Sequence, residues 1–138
     1  WPYDTARVLE RPDVEAYRQS YTSKIHNMFC IPDEGDWDVT DAMIKRTLEN
    51  DHVVVFGMKV DDDYKRYTGG ILSMPADLSA RPNPGGHCQM IVGYRDDLEV
   101  WIVRNSWGEG WGVGGHAYVP YDYLHVSDAS DFWVPYRG

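Results

Sequence analysis

The chain is short of the residues that would build a disulfide framework, a membrane span or a nucleic-acid-binding surface. It has two cysteines in 138 residues, and 13 Lys and Arg against 22 Asp and Glu, for a formal net charge of −9. Polyphosphate binding needs clustered basic side chains, and no apolar run approaches the ~20 residues that cross a bilayer. We therefore expect neither a nucleic acid nor a membrane as partner.

Cys30 and Cys88 are too few for the disulfide framework of a small secreted domain. The two thiols could pair, or each could be buried and unpaired, and we favour the second interpretation. Their number does not indicate a cellular compartment, so the localisation stays open.

What the chain does contain is enough apolar surface for one globular domain spanning residues 1–138. Hydrophobic residues make up 43% of it, with six Trp and ten Tyr, and a chain of this length can bury roughly two thirds of its unfolded surface. The first residues, Trp1-Pro2-Tyr3, follow no initiator Met and carry no signal-peptide pattern. We expect that processing, truncation or a partner chain precedes them.

The middle of the chain predicts a helix followed by a buried strand. Thr40–Asn50 has helical periodicity with Thr40 or Asp38 as the cap, and its predicted apolar face comprises Ala42, Ile44 and Met43 or Leu48. His52–Val60 is β-branched and apolar on both faces, which is typical of a strand inside a packed sheet or barrel.

Further strands are predicted on both sides of this pair. Tyr21–Phe29 alternates well enough for a strand, and Pro75–Gly86 is a loop rich in Pro and Gly. Three strand-like runs follow, of which the first two form a hairpin: His87–Tyr94, Glu99–Arg104 and Gly115–Pro120. A helix followed by an antiparallel set of strands predicts the α+β class.

His87 and Asn105 stand at the same end of the predicted hairpin. Adjacent antiparallel strands bring such positions within side-chain reach. An Asn oxygen that accepts from one imidazole nitrogen selects the tautomer and leaves the other nitrogen for a nucleophile. Alternatively, His87 is a surface histidine at a loop end and Asn105 only ends a strand.

Trp107 favours the catalytic interpretation. It follows Asn105 by two residues, and an indole over an amide–imidazole contact would exclude water and strengthen the hydrogen bond. Gly108, Gly110 and Gly112 would let the backbone fold tightly around the rings. The same aromatic loop could also plug the end of a barrel, and the two roles are compatible.

The segments "GGHCQMIVGY" and "VWIVRNSWGEGWGVGGHAYVPYDYL" together resemble the papain-like (family C1) cysteine peptidases. Upstream, "HVVVFGMKV", "YTGGIL" and "WPY" are similar in order and spacing to that family's first barrel strand, its Tyr-x-x-Gly-Ile strand and its Tyr-Pro-Tyr segment. The resemblance covers nearly the whole chain. It implies an antiparallel, barrel-like β domain with one or two helices, the right-hand domain of the papain-like fold, and neither a cofactor nor a metal.

The resemblance also implies roles for individual residues. His87 would be the general base and imidazolium partner of a catalytic thiolate, Asn105 would orient it, and Trp107 would shield their contact. Five further residues are implied to bind substrate, either in the pocket for the substrate residue that precedes the scissile bond or beside the histidine. They are Trp1, Pro2, Phe56, Gly86 and Cys88.

One part of the family pattern is absent. The nucleophile should lie in a Gln-…-Cys-Gly-x-Cys-Trp segment, which this sequence lacks. Neighbouring strand residues point to opposite faces, so Cys88 cannot approach His87, and Cys30 has no helix N-terminus to lower its pKa. We therefore expect a Cys-bearing N-terminal half, in another chain or a missing segment, and an inactive isolated chain.

Three function hypotheses follow from this pattern. The first is the His/Asn-bearing half of a cysteine endopeptidase acting on a peptide or protein substrate. The second is a catalytically inactive domain of the same fold that binds a peptide or protein partner. A transferase or amidase would use the same thiol chemistry, because the residues specify acyl transfer rather than the final acceptor.

Overall fold

The computed structural model describes residues 4–33, 35–75 and 85–136. This part of the chain contains the strands β1 (Asn27–Cys30), β2 (Val54–Val60), β3 (Gly85–Arg95), β4 (Val100–Arg104), β5 (His116–Pro120) and β6 (Ser130–Tyr136). They form one antiparallel sheet in the order β1-β6-β2-β3-β4-β5. The α+β class and the antiparallel sheet are confirmed.

Four α-helices accompany the sheet within these ranges, more than the one or two expected. They are α1 (Val14–Ser20), α2 (Trp37–Glu49), α3 (Asp62–Lys65) and α4 (Tyr121–Val126). None of the helices in the described ranges has the length and apolar character needed to cross a membrane.

The sheet and α2 both contribute to one buried hydrophobic cluster. Alternate residues of β2 point inward, and Val54 and Phe56 have no exposed surface. Ile44 of α2 is also fully buried against this cluster. Burial of a side chain of that size contributes roughly 1.5–3 kcal/mol, so α2 is held to the sheet mainly by its apolar face.

Helix α2 begins three residues earlier than predicted because a different residue caps it. The carboxylate of Asp36 accepts a hydrogen bond from the backbone N–H of Val39 at 3.2 Å, so neither Thr40 nor Asp38 is the N-cap. Thr40 is instead buried and donates its hydroxyl to the carbonyl of Pro32 at 3.2 Å. The buried face therefore runs through Thr40, Ile44 and Leu48, while Ala42 and Met43 are exposed.

The predicted strand Tyr21–Phe29 is largely wrong. Tyr21–Ser23 forms a 3-10 turn, and only Asn27–Cys30 is extended. That short strand pairs with β6, Asn27 opposite Tyr136. The extent of β1 is set by its pairing with β6, which lies about a hundred residues further along the chain and was not predicted as a strand.

The predicted hairpin is confirmed as β3 and β4. Met90 lies opposite Arg104 and Ile91 opposite Val103, and a bulge follows between Ile91 and Gly93. His87 stands near the beginning of β3, and Asn105 comes directly after the end of β4. Both residues therefore lie at the same end of the β3–β4 hairpin, as predicted.

Candidate active site

The imidazole of His87 and the side-chain amide of Asn105 are hydrogen-bonded. His87 Nε2 lies 2.9 Å from Asn105 Oδ1. The backbone N–H of Ser106 donates to the same oxygen at 2.7 Å. Because that N–H requires an acceptor, the atom facing His87 is the amide oxygen, and neutral His87 carries its proton on Nε2. The lone pair of Nδ1 is then free to accept a proton from a nucleophile.

Trp107 covers this pair on one side. Its indole stacks on the imidazole of His87, with ring centroids 4.6 Å apart and planes inclined by 24°. Asn105 is 4% exposed, whereas Trp107 keeps 40% of its surface exposed. The amide is thus buried beside an imidazole on which a partly exposed indole stacks.

Four glycines of the loop that carries Trp107 have positive φ, namely Gly108, Gly112, Gly114 and Gly115, and two of them are also in close contact with their surroundings. Gly112 has φ of 59°, and an added Cβ there would overlap the carbonyl oxygen of His116 and lie 3.0 Å from the ring of Tyr67. Gly115 has φ of 82°, and its carbonyl accepts the backbone N–H of Asn105 at 2.9 Å. Gly110, which we expected to have the same role, has open space around its Cβ position and no positive φ.

A second aromatic group lies beneath Trp107. Trp111 meets it edge to face, with centroids 5.3 Å apart, and donates its indole N–H to the carbonyl of Lys65 at 3.1 Å. Tyr64 packs against both indoles, at 6.2 Å and 5.2 Å between centroids, and has no exposed surface. Burial raises the pKa of Tyr64 above its usual range, so its hydroxyl stays protonated and acts as a donor.

The hydroxyl of Tyr64 donates to Oε1 of Gln89. Neither residue was predicted from the sequence to be part of the site. The available signal was a polar Gln89 on the inward-facing positions of β3, between the half-buried His87 and the buried Ile91.

Comparison with known proteins agrees with this geometry. The family model described as papain family cysteine protease matches residues 2–129. The chain belongs to the papain family. An uncharacterized peptidase C1-like protein of Acanthamoeba polyphaga mimivirus is 33% identical over 97% of this chain and 44% of its own length. A cysteine protease of Blomia tropicalis is 32% identical over 86% of this chain and 33% of its own length.

Solved structures of papain-family enzymes have the same fold. Xylellain, a cysteine protease from Xylella fastidiosa, superposes with a TM-score of 0.71 at 26% identity, over 94% of this chain and 46% of its own. The Carica candamarcensis cysteine protease CMS1MS2, solved in complex with E-64, superposes with a TM-score of 0.58 at 22% identity, over 83% of this chain and 50% of its own. The chain thus spans less than half the length of the mimivirus and Xylella relatives.

The remaining predicted residues of this papain-family chain fall into three groups. Gly86 and Cys88 are exposed on β3 beside His87. Trp1 and Pro2 lie outside the described residues. The structure does not bring Phe56 to the site, because its ring has no exposed surface and stacks on Phe132 in the core, with centroids 5.7 Å apart.

Neither thiol of the chain reaches His87. Both cysteines are unpaired, as we favoured, but both are exposed rather than buried. Cys88 follows His87 on the strand and points to the opposite face. Cys30 lies on β1, three strands away from β3 in the sheet, which corresponds to about 14 Å at normal strand spacing. A nucleophile must approach its base to ~3 Å.

The described ranges contain no group of three or more His, Cys, Asp or Glu side chains arranged to hold a metal ion. The candidate site brings together the imidazole of His87, the amide of Asn105 and the indole of Trp107.

Proposed function

We propose that this chain is the His/Asn-bearing half of a papain-like cysteine endopeptidase, in which a Cys-bearing half outside these 138 residues supplies the thiolate. The single observation that carries the proposal is the contact of His87 Nε2 with Asn105 Oδ1 at 2.9 Å beneath the stacked Trp107. Because Nε2 of His87 is held by Asn105, the lone pair of Nδ1 is available to accept a proton, which is what a general base requires.

The chemistry follows from the free Nδ1 of His87. A cysteine thiol that transfers its proton to Nδ1 becomes a thiolate paired with an imidazolium, and such pairing lowers the thiol pKa to roughly 3–4. Asn105 Oδ1 accepts from Nε2–H in both charge states of the ring. It therefore holds the ring plane while the proton on Nδ1 comes and goes.

Peptide hydrolysis then takes two displacement steps. The thiolate attacks the scissile carbonyl carbon, the C–N bond breaks, and the imidazolium of His87 gives its Nδ1 proton to the leaving amine. Neutral His87 next removes a proton from water, the hydroxide attacks the thioester, and the C–S bond breaks. This releases the acid and restores the thiolate–imidazolium pair.

The N-terminal part of the described chain provides a surface for the Cys-bearing half. Helix α1 and the turns around it contain no buried residue. Several large apolar side chains there are exposed, among them Leu9 at 96%, Val8 at 79% and Val14 at 70%. A contiguous exposed apolar segment of this kind is typical of an interface.

The substrate would lie along the exposed start of β3. Gly86 has open space at its Cβ position, and the Cys88 side chain is small and exposed. We propose that these two residues, with Trp1 and Pro2, border the pocket for the residue preceding the scissile bond. The substrate class is a peptide or protein, and no cofactor takes part in the proposed steps.

The proposal is tested by combining the chain with a Cys-bearing half from the same source, encoded upstream or on another gene. We expect the assembled protein to cleave a fluorogenic peptide, to be blocked by a thiol-directed epoxide, and to lose at least about 10²-fold in kcat with His87→Ala. The double variant Cys30→Ser/Cys88→Ser should keep the activity. Activity of the purified chain alone that disappears with Cys30→Ser would contradict the proposal.

The inactive binding domain is the other outcome of this experiment. Its signature is an assembled protein that binds a peptide at the same site but does not cleave it. No feature of the described residues favours that outcome over hydrolysis.

A further inference from the structure

Gln89 is a buried polar side chain directly beside the proposed catalytic pair. It is 4% exposed and lies two residues after His87, so both side chains are on the same face of β3. The β3–β4 register ends at Met90 opposite Arg104. Gln89 directly precedes this last paired position on β3, and Asn105 directly follows it after β4.

The buried amides of Gln89 and Asn105 use only their oxygens within the described part of the chain. Gln89 Oε1 accepts from Tyr64, and Asn105 Oδ1 accepts from His87 and Ser106. The nitrogens of both amides are buried without a partner in these ranges. Such groups are costly where an apolar side chain would fit, so a purely structural role does not account for a glutamine at position 89.

Tyr64 connects Gln89 to the cover of the site. Its hydroxyl is held by Gln89, while its ring meets Trp107 edge to face at 6.2 Å with planes inclined by 74°. Trp107 in turn stacks on His87. Gln89 is therefore connected to His87, two residues away on β3, through Tyr64 and Trp107.

We propose that Tyr64 and Gln89 are positioning residues for the catalytic imidazole. Their hydrogen bond fixes the rotation and depth of the Tyr64 ring, and this ring sets the height of Trp107 over His87. The indole then keeps the imidazole plane aligned with Asn105 Oδ1, so that Nδ1 points outward. This inference rests on the proposed function, in which His87 acts on a thiol.

A positioning role and a purely stabilising role of Tyr64 and Gln89 predict different results when the two residues are substituted together. Tyr64→Phe leaves Gln89 Oε1 without its donor, and Gln89→Leu leaves the Tyr64 hydroxyl buried without an acceptor, so each single variant should have a lower Tm. The double variant Tyr64→Phe/Gln89→Leu removes both polar groups together and should recover most of that loss. If the pair only stabilises the fold, the double variant will also behave as wild type at His87.

The decisive measurement is made on His87 in the isolated chain. We expect ¹⁵N NMR to show one neutral tautomer, with the proton on Nε2, in the wild-type chain. In the double variant we expect a mixture of tautomers despite the recovered Tm. Tyr94→Phe is the matched control, since it removes a phenol hydroxyl that donates to Glu49 at 2.8 Å, away from the site. It should leave the His87 signals unchanged.

The second measurement is made on the assembled protein. We expect kcat of the double variant to fall roughly tenfold with KM nearly unchanged, because the loss lies in orientation rather than in binding. Wild-type His87 signals and wild-type kcat in the double variant would overturn the inference. Tyr64→Phe alone serves the same comparison if the double variant does not fold.

The two measurements separate this inference from the proposed function. If the His87 tautomer changes in the variants but the assembled wild type has no peptidase activity, the proposed function fails and the positioning contact stands. If the assembled wild type is active and the variants change neither the tautomer nor kcat, only the positioning role fails.

Discussion

Asn105 Oδ1 accepts two hydrogen bonds, from Nε2 of His87 at 2.9 Å and from the backbone N–H of Ser106 at 2.7 Å. The second bond determines the first. A backbone N–H cannot face an amide nitrogen, so the Asn105 side chain cannot flip, and the imidazole must donate through Nε2. The residue after Asn105 thus helps to select the tautomer of a histidine on another strand.

Replacing Asn105 should therefore weaken catalysis more than it weakens the fold. In the assembled protein we expect Asn105→Ala to lower kcat by roughly 10²-fold, because Nε2 loses its acceptor and the ring its orientation. Ser106→Ala is the control, since it keeps the backbone N–H. Steady-state kinetics on both variants tests this, and equal kcat values for the two would contradict it.

Gly112→Ala should destabilise the loop that carries Trp107. The added Cβ would overlap the carbonyl oxygen of His116 at a φ of 59°, and we expect a loss of about 2 kcal/mol in the free energy of unfolding. Gly110→Ala, with open space at its Cβ position, should change it by less than about 0.5 kcal/mol. Urea denaturation measures both. A Gly112 variant as stable as the Gly110 variant would show that this loop geometry is wrong.

Phe56 should affect stability and not substrate preference. Because its ring is fully buried against Phe132, Phe56→Ala should lower the free energy of unfolding by about 3–5 kcal/mol. Phe56→Leu, which keeps most of the volume, should cost less than about 1.5 kcal/mol and leave peptide selectivity of the assembled protein unchanged. A change of peptide selectivity with Phe56→Leu would show that this residue lines the substrate pocket after all.

Asp41, which contacts His125 where α2 packs near α4, should make the free energy of unfolding depend on pH. Burial raises the pKa of its carboxyl above 3.8, and the charges of His125, 3.2 Å away, and Lys45 offset this only in part while Asp122 adds to it. A raised carboxyl pKa means that folding favours the protonated form. The stability it contributes is full below pH 3.8 and is lost as the pH rises through the folded value.

Asp41→Asn removes this titration. Relative to wild type, the variant should gain stability as the pH rises from about 3.8 to neutrality, as followed by urea denaturation at a series of pH values. Asp38→Asn, on the exposed first turn of the same helix, is the control and should not show this trend. A stability difference between Asp41→Asn and wild type that is independent of pH would show that burial does not govern this carboxyl.

The elements predicted well are those with a strong local pattern. Val54–Val60 and the β3–β4 hairpin are rich in β-branched residues, which favours strands, and the segment that forms α2 has apolar residues at helical spacing. The elements missed are short or interrupted. Helices α1 and α4 have seven and six residues, and β6 contains Pro135, which argues against a strand.

The two misplaced boundaries have different causes. Asn27 is extended because Tyr136, more than a hundred residues away, pairs with it. Helix α2 begins at Trp37 because the adjacent Asp36, rather than Thr40 or Asp38, caps it. The resemblance assigned Phe56 to the substrate pocket. Its side chain instead lies in the core, because it occupies one of the alternate positions of β2 that point inward.

The sequence by itself determined the residue types of the site, because His87, Asn105 and Trp107 stand in a spacing that local strand and turn geometry bring to one end of a hairpin. It also determined that the catalytic thiol pattern is absent. Only the tertiary structure decided which imidazole nitrogen is bonded, that Tyr64 and Gln89 lie beneath the pair, and that neither thiol can reach it. Those are distances between side chains on different strands and loops, which depend on register and packing rather than on local pattern.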